Sequence, residues 1–202
     1  FEDSTGRVIL EAMRYERIFD QNKLGPFGEA LPYPTRWTMD VGARSVTEAR
    51  FDDRASEFPR VHPDLEGQET QFGYALGVGR DVNALDFNQI LKYHRGDDHV
   101  AVHQLAPAKM ASEPVFVPKN DAKAEDEGYL MSYVFDQDKN TSELIVLDAQ
   151  NVSRILVAAQ TELRPNDIVY VADRPIISFS RTLAELNPLR ILLRDLENGN
   201  IP

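Results

Sequence analysis

The stretch "TRWTMDVGARSVTEARFDD", Thr35 to Asp53, reads as two extended segments joined by a turn. In its first half Trp37 and Met39 fall on one side of the chain and Thr38 and Asp40 on the other, the period-two alternation of a strand. Gly42 supplies a turn residue, and "ARSVTEARFDD" continues beyond it at hairpin-like spacing.

Working outward, the same reading recurs. "GRVILEAMRYE" alternates after Gly6, and further strands are expected at "TQFGYALGVG", "QILKYHR", "DDHVAVHQL", "EPVFVP", "GYLMSYVFD" and "SELIVLDA". Turn signals such as "RGDD" and "DQDKNTS" separate them. Regularly spaced short strands with no long 3.6-residue pattern among them predict a mainly β fold, a sandwich, barrel or propeller.

Composition narrows the chemistry. The 202 residues are 42% hydrophobic and 27% charged, as in an ordinary globular protein, and no apolar run approaches the ~18–20 residues of a membrane-spanning helix. A net charge of −11, from 22 basic and 33 acidic residues, argues against a nucleic-acid partner. With no cysteine, thiolate nucleophiles, disulfides and zinc-thiolate sites are excluded together. The opening "FEDSTG" has neither an initiator Met nor a signal pattern, so the chain is expected to begin within a longer protein.

Composition also changes near residue 150. Residues 1–150 carry the whole negative charge, whereas 151–202 hold six arginines and six acids, no Lys, His or Trp, and two aromatics, Tyr170 and Phe179. In this tail "LRPNDIVYVADRP" reads as a turn, a strand and a proline stop. A helical segment is expected after it, capped by Ser178 or Ser180, interrupted at Pro188 and closed near Gly199. The expected organisation is therefore 1–150 and an unrelated strand-plus-helix tail, 151–202.

Without cysteine, a transition-metal site would need imidazole and carboxylate. The histidines are His62, His94, His99 and His103. His99 and His103 share a face of the strand "DDHVAVHQL" but would lie ~13 Å apart, too far for one ion. Glu57 in "SEFPRVHPDLEGQ" and Glu113 in "SEPVFVP" stand in apolar surroundings, where a carboxylate needs a partner. Each could be a strand-end residue bonded to a backbone amide or an arginine, or a carboxylate serving a reactive site. The acidic runs "KAEDEG" and "RFDDR" read as solvated turns. No P-loop, dinucleotide fingerprint, GxSxG or HExxH occurs.

Several longer segments, in order, carry a resemblance: "YERIFD", "GPFGEALPYPTRWTMD", "DDRASEFPRVHPDLEGQETQFGYALG", "SEPVFVPKNDAKAEDEGYLMSYVFD" and "SELIVLDAQN". Across about residues 1–150 the chain resembles the C-terminal part of a carotenoid oxygenase, of the bacterial lignostilbene and apocarotenoid dioxygenase branch. The resemblance implies part of a seven-bladed β-propeller around a non-haem Fe(II) held by four histidines, with glutamates bonded behind three of them. It implies an O2-dependent cleavage of a C=C bond in an apolar, conjugated small molecule.

By motif match Glu57 and Glu113 are two of those glutamates, each accepting the distal N–H of a ligating imidazole. The four ligating histidines would lie outside this chain, so it is expected to be inactive alone. His62 is then a loop residue.

The tail resembles the C-terminal end of a bacterial polysaccharide export protein. This leaves as the alternative a non-enzymatic remnant of the cell envelope; the oxygenase reading implies a cytoplasmic protein.

Overall fold

The computed structural model describes residues 1–21, 29–79, 86–97 and 99–163, with side chains to residue 156. The chain divides into two compact units, Phe1–Pro118 with Ala122–Asp167, and Lys119–Asp121 with Ile168–Pro202. The fold described here is that of the first unit. Among the described residues no helix is long and apolar enough to cross a membrane.

Three antiparallel sheets follow one another along the chain. The first has the order β1-β2-β3, from Val8–Arg14, Tyr33–Asp40 and Ser45–Arg50. The second runs β4-β5-β6-β7, from Ser56–Arg60, Phe72–Gly77, Gln89–His94 and His99–Gln104. In the third, β10 (Gly128–Asp136) pairs along one edge with β11 (Thr141–Asp148), which in turn pairs with β12 (Asn151–Leu163). Its other edge is shared by β8 (Lys109–Ala111) and β9 (Val115–Pro118). A mainly β architecture is therefore present.

Period-two burial builds the main core between the second and third sheets. On β10, Leu130, Ser132 and Val134 are buried while the residues between them are less so. Leu130 and Val134 join Tyr74, Leu76, Ile90, Phe116, Ile145 and Leu147 in one cluster. Each such side chain stabilises the fold by roughly 1.5–3 kcal/mol when fully buried. Gly128 admits the closest approach: a Cβ there would lie 2.5 Å from the Val117 carbonyl oxygen and 2.6 Å from the Phe116 ring.

The hairpin from Thr35 to Asp53 forms as expected, with Trp37 opposite Glu48 and Met39 opposite Val46. Its apolar face is not the covered one, for Leu10 is 50% exposed and Val46 63%. The opposite face, with Met13, meets the second sheet at Ser56. Alternation reveals that a strand has two faces, and the neighbouring sheet decides which is covered.

Besides β12, two short strands, β4 and β8, go beyond those read from the sequence. They are five and three residues long. Pro59 also interrupts β4, so neither shows an alternation to read. Ser56–Arg60 is accordingly strand, and the polar loop that follows holds one 3₁₀ turn, Pro63–Leu65. β12 carries the third sheet past residue 150, so backbone pairing is continuous where the composition changes. The helical segment expected between Ser178 and Gly199, and the strand expected in "DIVYVA", lie outside the described residues.

Candidate functional site

The site residues expected from the sequence stand on the second and third sheets, and β4 shapes the first of them. Ser56 and Glu57 pair in register with Gly77 and Leu76, but the next pairing is Arg60 with Tyr74. The extra residue on β4 is a bulge. Phe58 sits in it at φ 54°, the left-handed region, which costs a non-glycine residue about 1–2 kcal/mol. Pro59 contributes by disfavouring the right-handed helical conformation at the residue before it. The Phe58 ring meets Phe87 edge-on, with centroids 5.4 Å apart.

This bulge sets the surroundings of Glu57. Glu57 Oε2 accepts the Phe58 N–H at 3.2 Å, and the carboxylate also accepts the Tyr15 hydroxyl. Burial pushes the Glu57 carboxyl above the usual carboxylate range, and the Tyr15 and Phe58 bonds act against that rise. Burial, and then the Glu57 charge, push the Tyr15 hydroxyl up in turn.

Glu113 lies between β8 and β9, two strands that share an edge of β10. The neighbouring Ser112 donates its N–H to the Tyr133 carbonyl at 2.7 Å and accepts the Tyr133 N–H on Oγ at 3.1 Å. Pro114 is buried. Arg60, from the bulge that carries Glu57, gives Nη2 to Glu113 Oε1 at 2.6 Å, with both side chains about two-fifths exposed (45% and 40%). The structure thus links the two glutamates through Arg60. It also supplies both simple partners considered from sequence, a backbone amide for Glu57 and an arginine for Glu113.

The histidines are dispersed. His62 caps the 3₁₀ turn by accepting the Asp64 N–H on Nδ1 at 3.2 Å, and its ring tilts over Phe116. His94 Nδ1 donates to Asp97 Oδ1 at 2.6 Å, and the ring stacks on Phe72. His99 and His103 lie at the exposed and buried ends of β7. Burial holds the His103 imidazole below its ordinary value. Among the described residues no three His, Cys, Asp or Glu side chains converge to hold a metal ion, so these residues do not by themselves fit an iron centre.

A cleft of about 320 Å³ opens between the first and second sheets. Glu11 on β1 joins Arg36 on β2 to Arg95, just past β6, and all three line it. Tyr15 and Arg60 both stand inside stretches quoted above, yet only the folded chain brings them to the glutamates. Glu11 and Arg95 are 84 positions apart, so no local pattern could pair them.

The sequence profile of the retinal pigment epithelial membrane protein family matches residues 1–166. The carotenoid cleavage oxygenase of Mycobacterium tuberculosis is 34% identical over 152 residues, covering 73% of this chain and 30% of that protein. The apocarotenoid-15,15'-oxygenase of Synechocystis is 29% identical over 164 residues, covering 78% and 33%. A solved structure of the cobalt-substituted Synechocystis apocarotenoid oxygenase superposes with a TM-score of 0.69 at 28% identity, over 77% of this chain and 34% of the other. The chain spans about a third of the length of these relatives. It belongs to the retinal pigment epithelial membrane protein family, that of the carotenoid oxygenases.

Proposed function

We propose that the chain is part of a non-haem Fe(II) dioxygenase that uses O2 to cleave a C=C bond of a carotenoid, apocarotenoid or stilbene, and part of a seven-bladed propeller. The family match over residues 1–166 carries this reading. In it, Glu57 and Glu113 each accept the distal N–H of an imidazole that holds the iron. The imidazoles come from outside the 202 residues. A carboxylate in that position fixes the ring's orientation and tautomer and raises its basicity.

The local chemistry supports such roles. An imidazole N–H is held more strongly by an ionised acceptor than by a neutral one, and the bonds from Tyr15 and Phe58 favour the ionised form of Glu57 where burial opposes it. At Glu113 the partner is a cation, Arg60, whose Nη2 donates to Oε1 at 2.6 Å. Because the two carboxylates are connected through one bulge, a shift of β4 would disturb both.

Alone, the chain is inactive on this reading, since loss of one partner behind a metal ligand already costs ~10–100-fold in affinity or activity. The test is to load the purified chain with Fe(II) without oxygen and measure bound iron, then cleavage of a stilbene or an apocarotenoid after O2 is admitted. Neither is expected. Stoichiometric iron with turnover would show that the chain holds a complete site.

A further inference from the structure

The first sheet has β1 at one edge, and that edge is only partly paired. Ile9 gives its N–H to the Phe1 carbonyl at 2.8 Å, the Phe1 nitrogen donates to the Ile9 carbonyl at 3.0 Å, and Glu2 bridges Val8. A built turn joins the two segments. Gly6, at φ 79°, donates its N–H to the Asp3 carbonyl at 3.0 Å, and the Asp3 carboxylate accepts the N–H groups of Thr5 and Arg7 at 2.9 and 3.0 Å. Phe1–Asp3 is therefore the end of a strand that runs antiparallel to β1, on the side away from β2.

Register identifies the groups of β1 that remain. Antiparallel neighbours alternate between pairs that exchange backbone bonds and pairs that exchange none. Ile9 directs its bonds to Phe1, so it makes none to Thr38 opposite, and the same holds two and four residues on, at Glu11 and Met13. Pro34 agrees: it stands opposite Met13, has no N–H to give, and turns its carbonyl to the Phe51 N–H, just past β3, at 3.1 Å. Leu10 and Ala12 thus face β2. The N–H and C=O groups of Glu11 and Met13 point to the open edge, where no partner for them stands among the described residues.

This edge is also sheltered. Ile9, Leu10, Glu11, Ala12 and Met13, five consecutive residues, line the cleft between the first two sheets. Neighbours in a strand point to opposite faces, so a cleft that touches all five runs along the strand's edge and not over one face. The sheet's other edge differs. Every residue of β3 is exposed, and Glu48 and Arg50 stand on it as charges that discourage pairing.

We propose that this cleft receives a polypeptide strand: the segment leading into Phe1 runs antiparallel along β1, and its residues two and four places before Phe1 exchange backbone bonds with Glu11 and Met13. The first sheet then has four strands, as the second has. Main-chain bonds of this kind supply affinity, and side chains at alternate positions supply fit. The residues two and four places before Phe1 share its face, on which the Phe1 ring lies under Arg95 of the second sheet's end, 5.0 Å from the guanidinium carbon. That such a segment exists rests on the reading of the chain as part of a longer oxygenase. The groove and its register rest on the bonds of this chain.

The test is backbone amide hydrogen exchange, followed by NMR, on the 202-residue chain and on two versions carrying six residues before Phe1. One extension is Val-Thr-Val-Thr-Val-Thr. The other is Val-Thr-Pro-Thr-Pro-Thr, with proline at the two paired positions, where it lacks the N–H and sets its ring against β1. In the 202-residue chain the Glu11 and Met13 amides should exchange at least about tenfold faster than those of Leu10 and Ala12, as expected for the lack of one hydrogen bond. The first extension should slow both by a similar factor, and the second should leave them as they were. Leu10 and Ala12, slow in all three proteins, report that the sheet is folded. Glu11 and Met13 already protected in the monomeric 202-residue chain, equal effects of the two extensions, or protection gained at Val46 and Glu48 of β3 instead would each overturn the proposal. Protection that grows with concentration alongside dimer formation would assign the groove to a second copy of the chain, and overturn it as well. Iron binding and substrate cleavage play no part in these readouts, so failure of the oxygenase reading leaves them unmoved, and failure here leaves that reading standing.

Discussion

Glu57 stands on β4 and Glu113 between β8 and β9, and Arg60 of β4 reaches Glu113, yet the two carboxylates are held by opposite means. Glu57 is half-buried on a bulged strand beside a residue in a strained backbone conformation, and its partners are uncharged. Glu113 follows the pairing of Ser112 with Tyr133 and is held by an ion pair, its side chain two-fifths exposed. Backbone strain and burial fix the first carboxylate at some cost in stability. Packing fixes the strand beside the second and leaves its side chain to electrostatics. If that contrast is right, backbone and packing substitutions should act strongly, and substitutions of the charged side chains weakly.

The largest effect is expected at Gly128, which supports the Glu113 side. A Cβ there would meet the Val117 carbonyl oxygen at 2.5 Å, and backbone cannot give way as a side chain can. Gly128→Ala should destabilise the chain by about 1–3 kcal/mol, the range for overpacking, read as a lower denaturant midpoint. An unchanged midpoint would mean that β9 and β10 are not held together as tightly as the structure shows.

Next comes the bulge. Both Phe58→Gly and Phe58→Ala lose the ring contact with Phe87, so their difference isolates the backbone. In an ordinary strand glycine is the weaker of the two by about 0.5–1 kcal/mol, but at φ 54° the order should reverse by about 1 kcal/mol. Equal stabilities, or alanine the more stable, would remove strain from the account of Glu57.

Glu57 itself gives a smaller and pH-dependent effect. Its carboxyl is raised above the usual value of 4.5 in the folded chain, so the unfolded chain loses its proton first as pH rises. The stabilising contribution is complete below about pH 4.5 and is lost as pH climbs through the raised value. At neutral pH a charged Glu57 therefore works against folding. Glu57→Gln keeps an acceptor for Tyr15 and Phe58 without the charge, and should melt no lower than the parent at pH 7. Its advantage should shrink towards pH 4. A variant less stable than the parent at pH 7 would place the carboxylate among the stabilising groups.

The sequence displayed much of this scaffold because β1 and β10 alternate in burial along the chain, and β2, β3 and β11 are long runs set off by turn residues. It hid what depends on short elements and distant partners. β4 is five residues with a proline inside, so its bulge leaves no periodic trace, and the strain at Phe58 appears only once Arg60 is seen opposite Tyr74. Glu57 and Glu113 stood out as carboxylates in apolar company. Tyr15 and Arg60 did not, because each lies far along the chain from the glutamate it serves, 42 and 53 positions away. The Glu11 triad was hidden for the same reason.

Arg60 is where the weakest response is expected, and where the contrast can be tested most sharply. The pair with Glu113 is about two-fifths exposed on each side, so water and salt screen it. Pairs of that kind contribute ~0–1 kcal/mol, and Arg60→Ala should cost no more than that in 150 mM salt, with the difference fading further at 1 M. Glu113→Gln should cost the same, and the double variant no more than either single one, since both remove one interaction. A salt-independent loss above ~2 kcal/mol would mean that Arg60 is part of the rigid frame. The two carboxylates would then be one preorganised unit, and the distinction between a strained and a paired glutamate would fail.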